Sequence, residues 1–186
     1  NYQIQYQINN TTEGSWSEGA NSPITVANLN HGDTVYARLW DGTNAGSDSS
    51  VSIEDNIAPS APTINLSGTL GNNGYYRSNV TVAITAGSDE QSGVNQIRYS
   101  VSGAQTIAET TTTAGTTSAN ITISTDGTST ITAYTIDKAG KVSGAKTQVV
   151  NKDSTAPNTA SLTTGTVGET SIEVTAKGTD ATSGIY

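Results

Sequence analysis

A five-residue string returns along the chain at a distance of 98 residues: Asp55-Asn56-Ile57-Ala58-Pro59 recurs as Asp153-Ser154-Thr155-Ala156-Pro157. A period close to a hundred residues leaves few solutions, because each period must bury a core of its own and pass the chain on to the next. In both copies Ala precedes Pro, which keeps that Ala extended and denies the following position a ladder donor. The string therefore reads as a short, stiff link between sheets. A second echo precedes each link, where Thr34 to Asp41 parallels Thr130 to Asp137 as a strand ending at an Asp turn. A third follows it: Val80-Thr81-Val82 through Asp89-Glu90-Gln91-Ser92-Gly93-Val94 matches Ile172-Glu173-Val174 through Asp180-Ala181-Thr182-Ser183-Gly184-Ile185.

Period-2 alternation fills the middle of the chain, with Val80, Val82 and Ile84 in one run, then Ile97, Tyr99 and Val101, then Ala119, Ile121 and Ile123, then Ile131, Ala133 and Thr135. With Thr63 to Leu66 leading and Thr147 to Val150 closing, this predicts six or seven short strands. The Thr-rich stretch from Thr106 to Thr117 reads as a loop plus an edge strand. Composition agrees: 32 Thr and 22 Ser stand beside no Cys, Met or Phe in 186 residues. An excess of β-branched residues favours pleated surfaces and argues against a helical bundle. The expected fold class is all-β, with tandem immunoglobulin-like β-sandwich modules. The expected core is Val82, Ile84, Ile97, Tyr99, Val101, Ile121, Ile123, Ile131 and Ala133.

The same counts restrict function. With Lys and Arg totalling 8 against 16 acids and a net charge of −8, no basic stripe is available for phosphates, so nucleic acid is not an expected partner. No run reaches the roughly 18 apolar residues of a membrane span, so no membrane insertion is expected. Without Cys there are neither disulfides nor thiolate metal sites, and packing with ladder hydrogen bonds must hold the sandwich. His31, the one imidazole, sits in the turn Asn30-His31-Gly32-Asp33 and reads as a turn residue rather than a catalyst. No catalysis is expected.

The motifs Asp153-Ser154-Thr155-Ala156-Pro157, Asp89 to Val94, and Ala133 to Asp137 followed by Ala139-Gly140-Lys141-Val142-Ser143 resemble the bacterial Ig-like (fibronectin-III/Big-like) tandem repeat domains of extracellular surface proteins. Lys141 departs from that pattern, which has Asn there, and Asn44-Ala45-Gly46 is shifted within it. The resemblance implies a structural segment of an extracellular bacterial fibre, stalk or adhesin shaft, cell-surface or secreted, whose partners are neighbouring copies or modules of the same fibre. The alternative is a carbohydrate- or cell-surface-binding module accessory to a secreted enzyme. It rests on Trp40 and Tyr134 in the outward phase of their strands, and on Trp16 and Tyr75-Tyr76 near turns, as rings that could stack on a host-surface or carbohydrate ligand.

In such a sandwich the link and the turns after the second and sixth strands share one pole. Asp55, Asp89, Glu90 and Asp137 are therefore expected to converge, as are Asp153, Asp180 and Asp41 in a module made from the outer segments. Hard carboxylate oxygens gathered this way suit Ca²⁺ as a cofactor. The competing reading is that each Asp caps its own turn by accepting backbone amides. Pilin-type isopeptides are not expected, because the lysines lie mostly in turns or the last strand.

The modules are expected at 1–56 (the C-terminal part of one), 57–153 (a complete one) and 154–186 (the N-terminal part of a following one). Joined end to start, the seam reads Ile185-x-x-Tyr2-x-Ile4-x-Tyr6, the spacing of Val94-x-x-Ile97-x-Tyr99-x-Val101. That continuity predicts copies running in phase along a fibre, either joined through a peptide bond or sharing strands without one.

Overall fold

Alternation of buried and exposed residues is strictest in the longest strand of the molecule, Gly127–Asp137, where Ser129, Ile131, Ala133, Thr135 and Asp137 all point inward. The computed structural model describes residues 2–185. Twelve strands run in order: β1 Gln3–Ile8, β2 Thr34–Trp40, β3 Ser49–Ser52, β4 Thr63–Ser67, β5 Val80–Thr85, β6 Val94–Gly103, β7 Ile107–Thr111, β8 Ser118–Ile123, β9 Gly127–Asp137, β10 Lys146–Lys152, β11 Ser161–Val167 and β12 Ile172–Lys177. A single 3₁₀ turn, Asn72–Gly74, is the one helical element among the described residues. The all-β expectation holds.

Seven strands, β4 to β10, form two sheets, one ordered β4-β5-β8 and the other β10-β9-β6-β7, every pairing antiparallel. They close on one apolar cluster. Val80, Val82, Ile84, Ile121 and Ile123 come from the first sheet, and Ile97, Val101, Ile131, Ala133 and Val150 from the second. All the expected core residues are buried except Tyr99, which is half-buried and packs on the cluster from its edge. Most are β-branched, and burying each such side chain contributes about 1.5 to 3 kcal/mol. The Thr-rich stretch becomes the edge strand β7 and the loop after it. Two inward hydroxyls of β9 accept backbone N–H groups from neighbouring loops. Gly87 donates its N–H to Thr135 Oγ1 (2.9 Å), and Gln105 donates to Ser129 Oγ (3.1 Å).

Gly103 ends β6 opposite Ser129 with φ +104°, and a methyl there would run into the Thr128 carbonyl oxygen. Gly103→Ala is therefore expected to destabilise this sandwich by about 2 kcal/mol. Gly144→Ala, with open space around the added methyl, is expected to shift the urea midpoint by less than about 0.5 kcal/mol equivalent.

The outer segments are smaller. β1, β2 and β3 make a three-stranded sheet, and β11 and β12 a hairpin in which every residue is exposed. The pairs Tyr6↔Ala37 and Ile8↔Val35 reproduce Tyr99↔Ala133 and Val101↔Ile131 of β6 and β9. This corrects the seam. Ile4, not Tyr2, takes the place of Ile97, so residue spacing across the seam misjudges the strand by two positions. Position in the sheet follows the ladder partners Ala37 and Val35 and not the count of residues along the chain. Asn1 and Tyr186, which the seam would join, lie outside the described residues.

Candidate metal centre

Asp137 is the last inward position of β9, one step of the alternation beyond Thr135, so the strand itself drives a carboxylate into the pole of the core. Its residue is 1% exposed. Oδ1 accepts the Lys141 N–H at 2.8 Å, while Oδ2 is buried with no hydrogen-bond partner. Asp55 reaches the same pole from the link. It is 3% exposed, with Oδ1 accepting from Ile57 N–H (2.8 Å) and Oδ2 from Ser92 N–H (3.2 Å). Asp89 heads the β5–β6 turn, where its Oδ1 alone accepts the N–H groups of Gln91, Ser92 and Gly93 at 2.8 to 3.1 Å. One carboxylate oxygen from each of the three lies within 4.8 Å of the others.

Both readings of the aspartates are thus present in one cluster. Turn capping accounts for Asp89 Oδ1 and for Asp55. It does not account for the orphaned Oδ2 of Asp137, because a buried carboxylate oxygen without a partner costs desolvation that only a proton, a donor or a cation offsets. The Ser92 hydroxyl and the Ile57 amide hold Asp55 below the usual carboxylate range, so it stays anionic at neutral pH. Three acids this close and a bare buried oxygen fit a hard divalent ion.

Glu90 does not join them. It points to solvent from the turn's exposed position and lines a neighbouring cleft with His31 and Asp55. His31 faces the link instead of a nucleophile: its Nδ1 accepts the Asp55 N–H at 3.1 Å.

At the second link the clamp is rebuilt almost atom for atom. Asp153 Oδ1 accepts from Thr155 N–H (2.9 Å) and its Oδ2 from Ser183 N–H (3.0 Å), while Asp180 Oδ1 accepts from Ser183 (2.9 Å) and Gly184 (3.2 Å). The Ser183 and Thr182 amides keep Asp180 below the usual range. Asp41, expected as the third member, is exposed and caps its own turn through Thr43 and Asn44 N–H. Among the described residues only Asp55, Asp89 and Asp137 gather as three.

A second buried polar site escaped the sequence. Lys152, at the end of β10, is 2% exposed, and its Nζ lies 2.6 Å from Asp126 Oδ1 and 2.8 Å from Ser154 Oγ. Hydrogen bonds from Lys152 and from the Thr155 and Ser154 hydroxyls hold Asp126 far below the usual carboxylate range. The pair is a buried salt bridge. The only sequence signal was the inward phase of Val150, which Lys152 continues.

Trp16, Trp40 and Tyr134 are half-buried and each lies beside an arginine. The Arg38 guanidinium lies 4.1 Å from the Trp16 ring and 5.9 Å from Trp40, pinned by two hydrogen bonds to Glu13, and Arg98 lies 4.7 Å over Tyr134. No protein-family model matches the chain, and no curated protein is significantly similar to it.

Proposed function

We propose that this chain is a structural segment of an extracellular bacterial fibre, stalk or adhesin shaft built of repeated Ig-like sandwich modules, without chemistry of its own. The observation that carries the reading is the duplicated clamp: at both links the Asp of the link takes an amide from the Asp-x-x-Ser-Gly turn that follows it. A joint tied to the next sheet by such bonds transmits force and resists bending, which is what a shaft needs and a free linker does not supply. The three-on-four strand order of β4 to β10 supports the Ig-like assignment. The cations stacked on Trp16, Trp40 and Tyr134 leave those ring faces less open to sugars, which speaks for the shaft over the carbohydrate module.

Asp55, Asp89 and Asp137 would hold Ca²⁺ at the first joint. When bound, the ion supplies the positive charge that offsets three crowded carboxylates, and it ties the link to two turns of the sandwich.

Small-angle scattering on the monomeric chain tests the reading. The expected profile is that of a rod one sandwich wide. A folded-back, compact particle, or retention of the chain on polysaccharide columns, would overturn it.

A further inference from the structure

We propose that the outer segments are complementary halves of one sandwich, completed when a second copy of this chain docks head to tail, its residues 2–56 closing over β11 and β12. The proposal deepens the shaft reading by naming the partner, and it rests on that reading only for the repeat.

Strand registers identify the halves. The pairs Leu162↔Ala176 and Thr164↔Val174 of the hairpin repeat Ile64↔Ile84 and Leu66↔Val82 of β4 and β5. The sheet β1-β2-β3 repeats the order β6-β9-β10. Among the described residues each outer segment thus holds strands that the other does not.

Exposure identifies the missing cover. Ile172 and Val174 are 52% and 51% exposed, where their counterparts Val80 and Val82 are fully buried. On the other half Ile8 and Leu39 are 38% and 54% exposed, against 4% for Val101 and 0% for Thr135. A hollow of about 250 Å³ opens beside Ile4, Ala37 and Leu39 on that face. A two-stranded hairpin with one bare apolar face is marginal alone.

The third strand of the hairpin's sheet is also at hand. Ile24 and Val26 stand 97 residues before Ile121 and Ile123 of β8. They are half-buried and alternate with exposed Pro23, Thr25 and Ala27, as in a strand, yet they pair with nothing in a ladder. Transferring Val80↔Ile123 and Val82↔Ile121 puts Ile172 opposite Val26, and Val174 opposite Ile24. Pro23 is compatible with an edge strand, which this would be.

Glu173 and Lys177 occupy the outward phase of β12, and Arg38, which borders the hollow on β2, is already buried over Trp16 with its charge compensated by Glu13. Specific interfaces start at about 1,200 Å², so the pairing needs both the exposed apolar side chains and the added strand to be covered.

Docking also completes the second joint. Asp41, directly after β2, corresponds in the repeat to Asp137, the last residue of β9, so Asp41 of the second copy falls beside Asp153 and Asp180, where the first joint holds its third acid.

Sedimentation velocity tests the pairing. The wild-type chain is expected to grow into longer species with concentration, whereas Val174→Asp and Ile24→Asp should each be at least tenfold weaker in self-association. Mixed, those two variants should form a dimer that grows no further, because each retains one intact end. A wild-type chain that stays monomeric, variants that assemble like wild type, or a mixture without a dimer would overturn the proposal.

The chain has no cysteine, so a second readout is clean. Val26→Cys with Ile172→Cys should oxidise to a ladder of linked copies, and Val26→Cys with Glu173→Cys, one residue out of register, should not. Absence of the first ladder, or equal ladders from both, would overturn the register. A rod-like monomer that never associates would sink the pairing and leave the shaft reading standing.

Discussion

Asp126→Ala is expected to destabilise the middle sandwich by about 3 kcal/mol, because it strands the Lys152 ammonium in a site 2% exposed with only a hydroxyl beside it. For a domain of this size that corresponds to roughly 15 °C in melting temperature. The double variant Asp126→Ala/Lys152→Met should recover most of the loss, since no uncompensated charge then remains. Equal melts for wild type and Asp126→Ala would show that the pair contributes nothing. The pH dependence has a definite sign. A carboxylate whose folded pKa is depressed stabilises the fold fully above its unfolded value, about 3.9, and loses that contribution as pH falls through the folded value. Asp126 is depressed strongly, and Asp33, Asp41, Asp55 and Asp180 are depressed in the same direction by hydrogen bonds. Urea midpoints should therefore be level from neutral pH to about pH 4.5 and fall below about pH 4. Asp126→Asn should flatten that acid limb.

Calcium is expected to have the second large effect. Ligand binding to the folded state alone adds RT ln(1 + [L]/Kd), about 2.7 kcal/mol at a hundredfold excess over Kd. Millimolar Ca²⁺ should thus raise the melting temperature and EDTA should return it. Asp137→Asn separates the two readings of the cluster. It removes the charge carried by the unpartnered oxygen while keeping the shape that accepts the Lys141 amide. In EDTA the variant should melt at or above wild type, because carboxylate repulsion is relieved, and Ca²⁺ should no longer raise it. Identical wild-type melts with Ca²⁺ and with EDTA would leave turn capping as the whole role of Asp55 and Asp89.

Strand content, the core of the middle sandwich and the convergence of Asp55, Asp89 and Asp137 were legible in the chain because all three follow from local rules. Alternation assigns a face to each residue, and it carried Ile131, Ala133 and Thr135 inward together with Asp137. The recurring Asp-x-x-Ser-Gly string set the turn chemistry, since an Asp at that position accepts amides two to four residues on. Glu90 was misjudged for the same local reason. It neighbours Asp89 in sequence, but the turn directs adjacent side chains apart.

What the sequence by itself determined is the all-β class and which residues face inward, both consequences of a side-chain period of two and of β-branched backbone preferences. Tertiary structure alone decided the rest. Lys152 and Asp126, 26 residues apart, meet only because β9 and β10 pair, and no spacing announces a buried ion pair. The bulge in β6, between Val94 and Gln96, shifted its pairing with β9 by one residue relative to a count along the chain. The orphaned oxygen of Asp137 exists because two sheets exclude water around it, and exclusion of water is a property of the packed sandwich that no single segment carries.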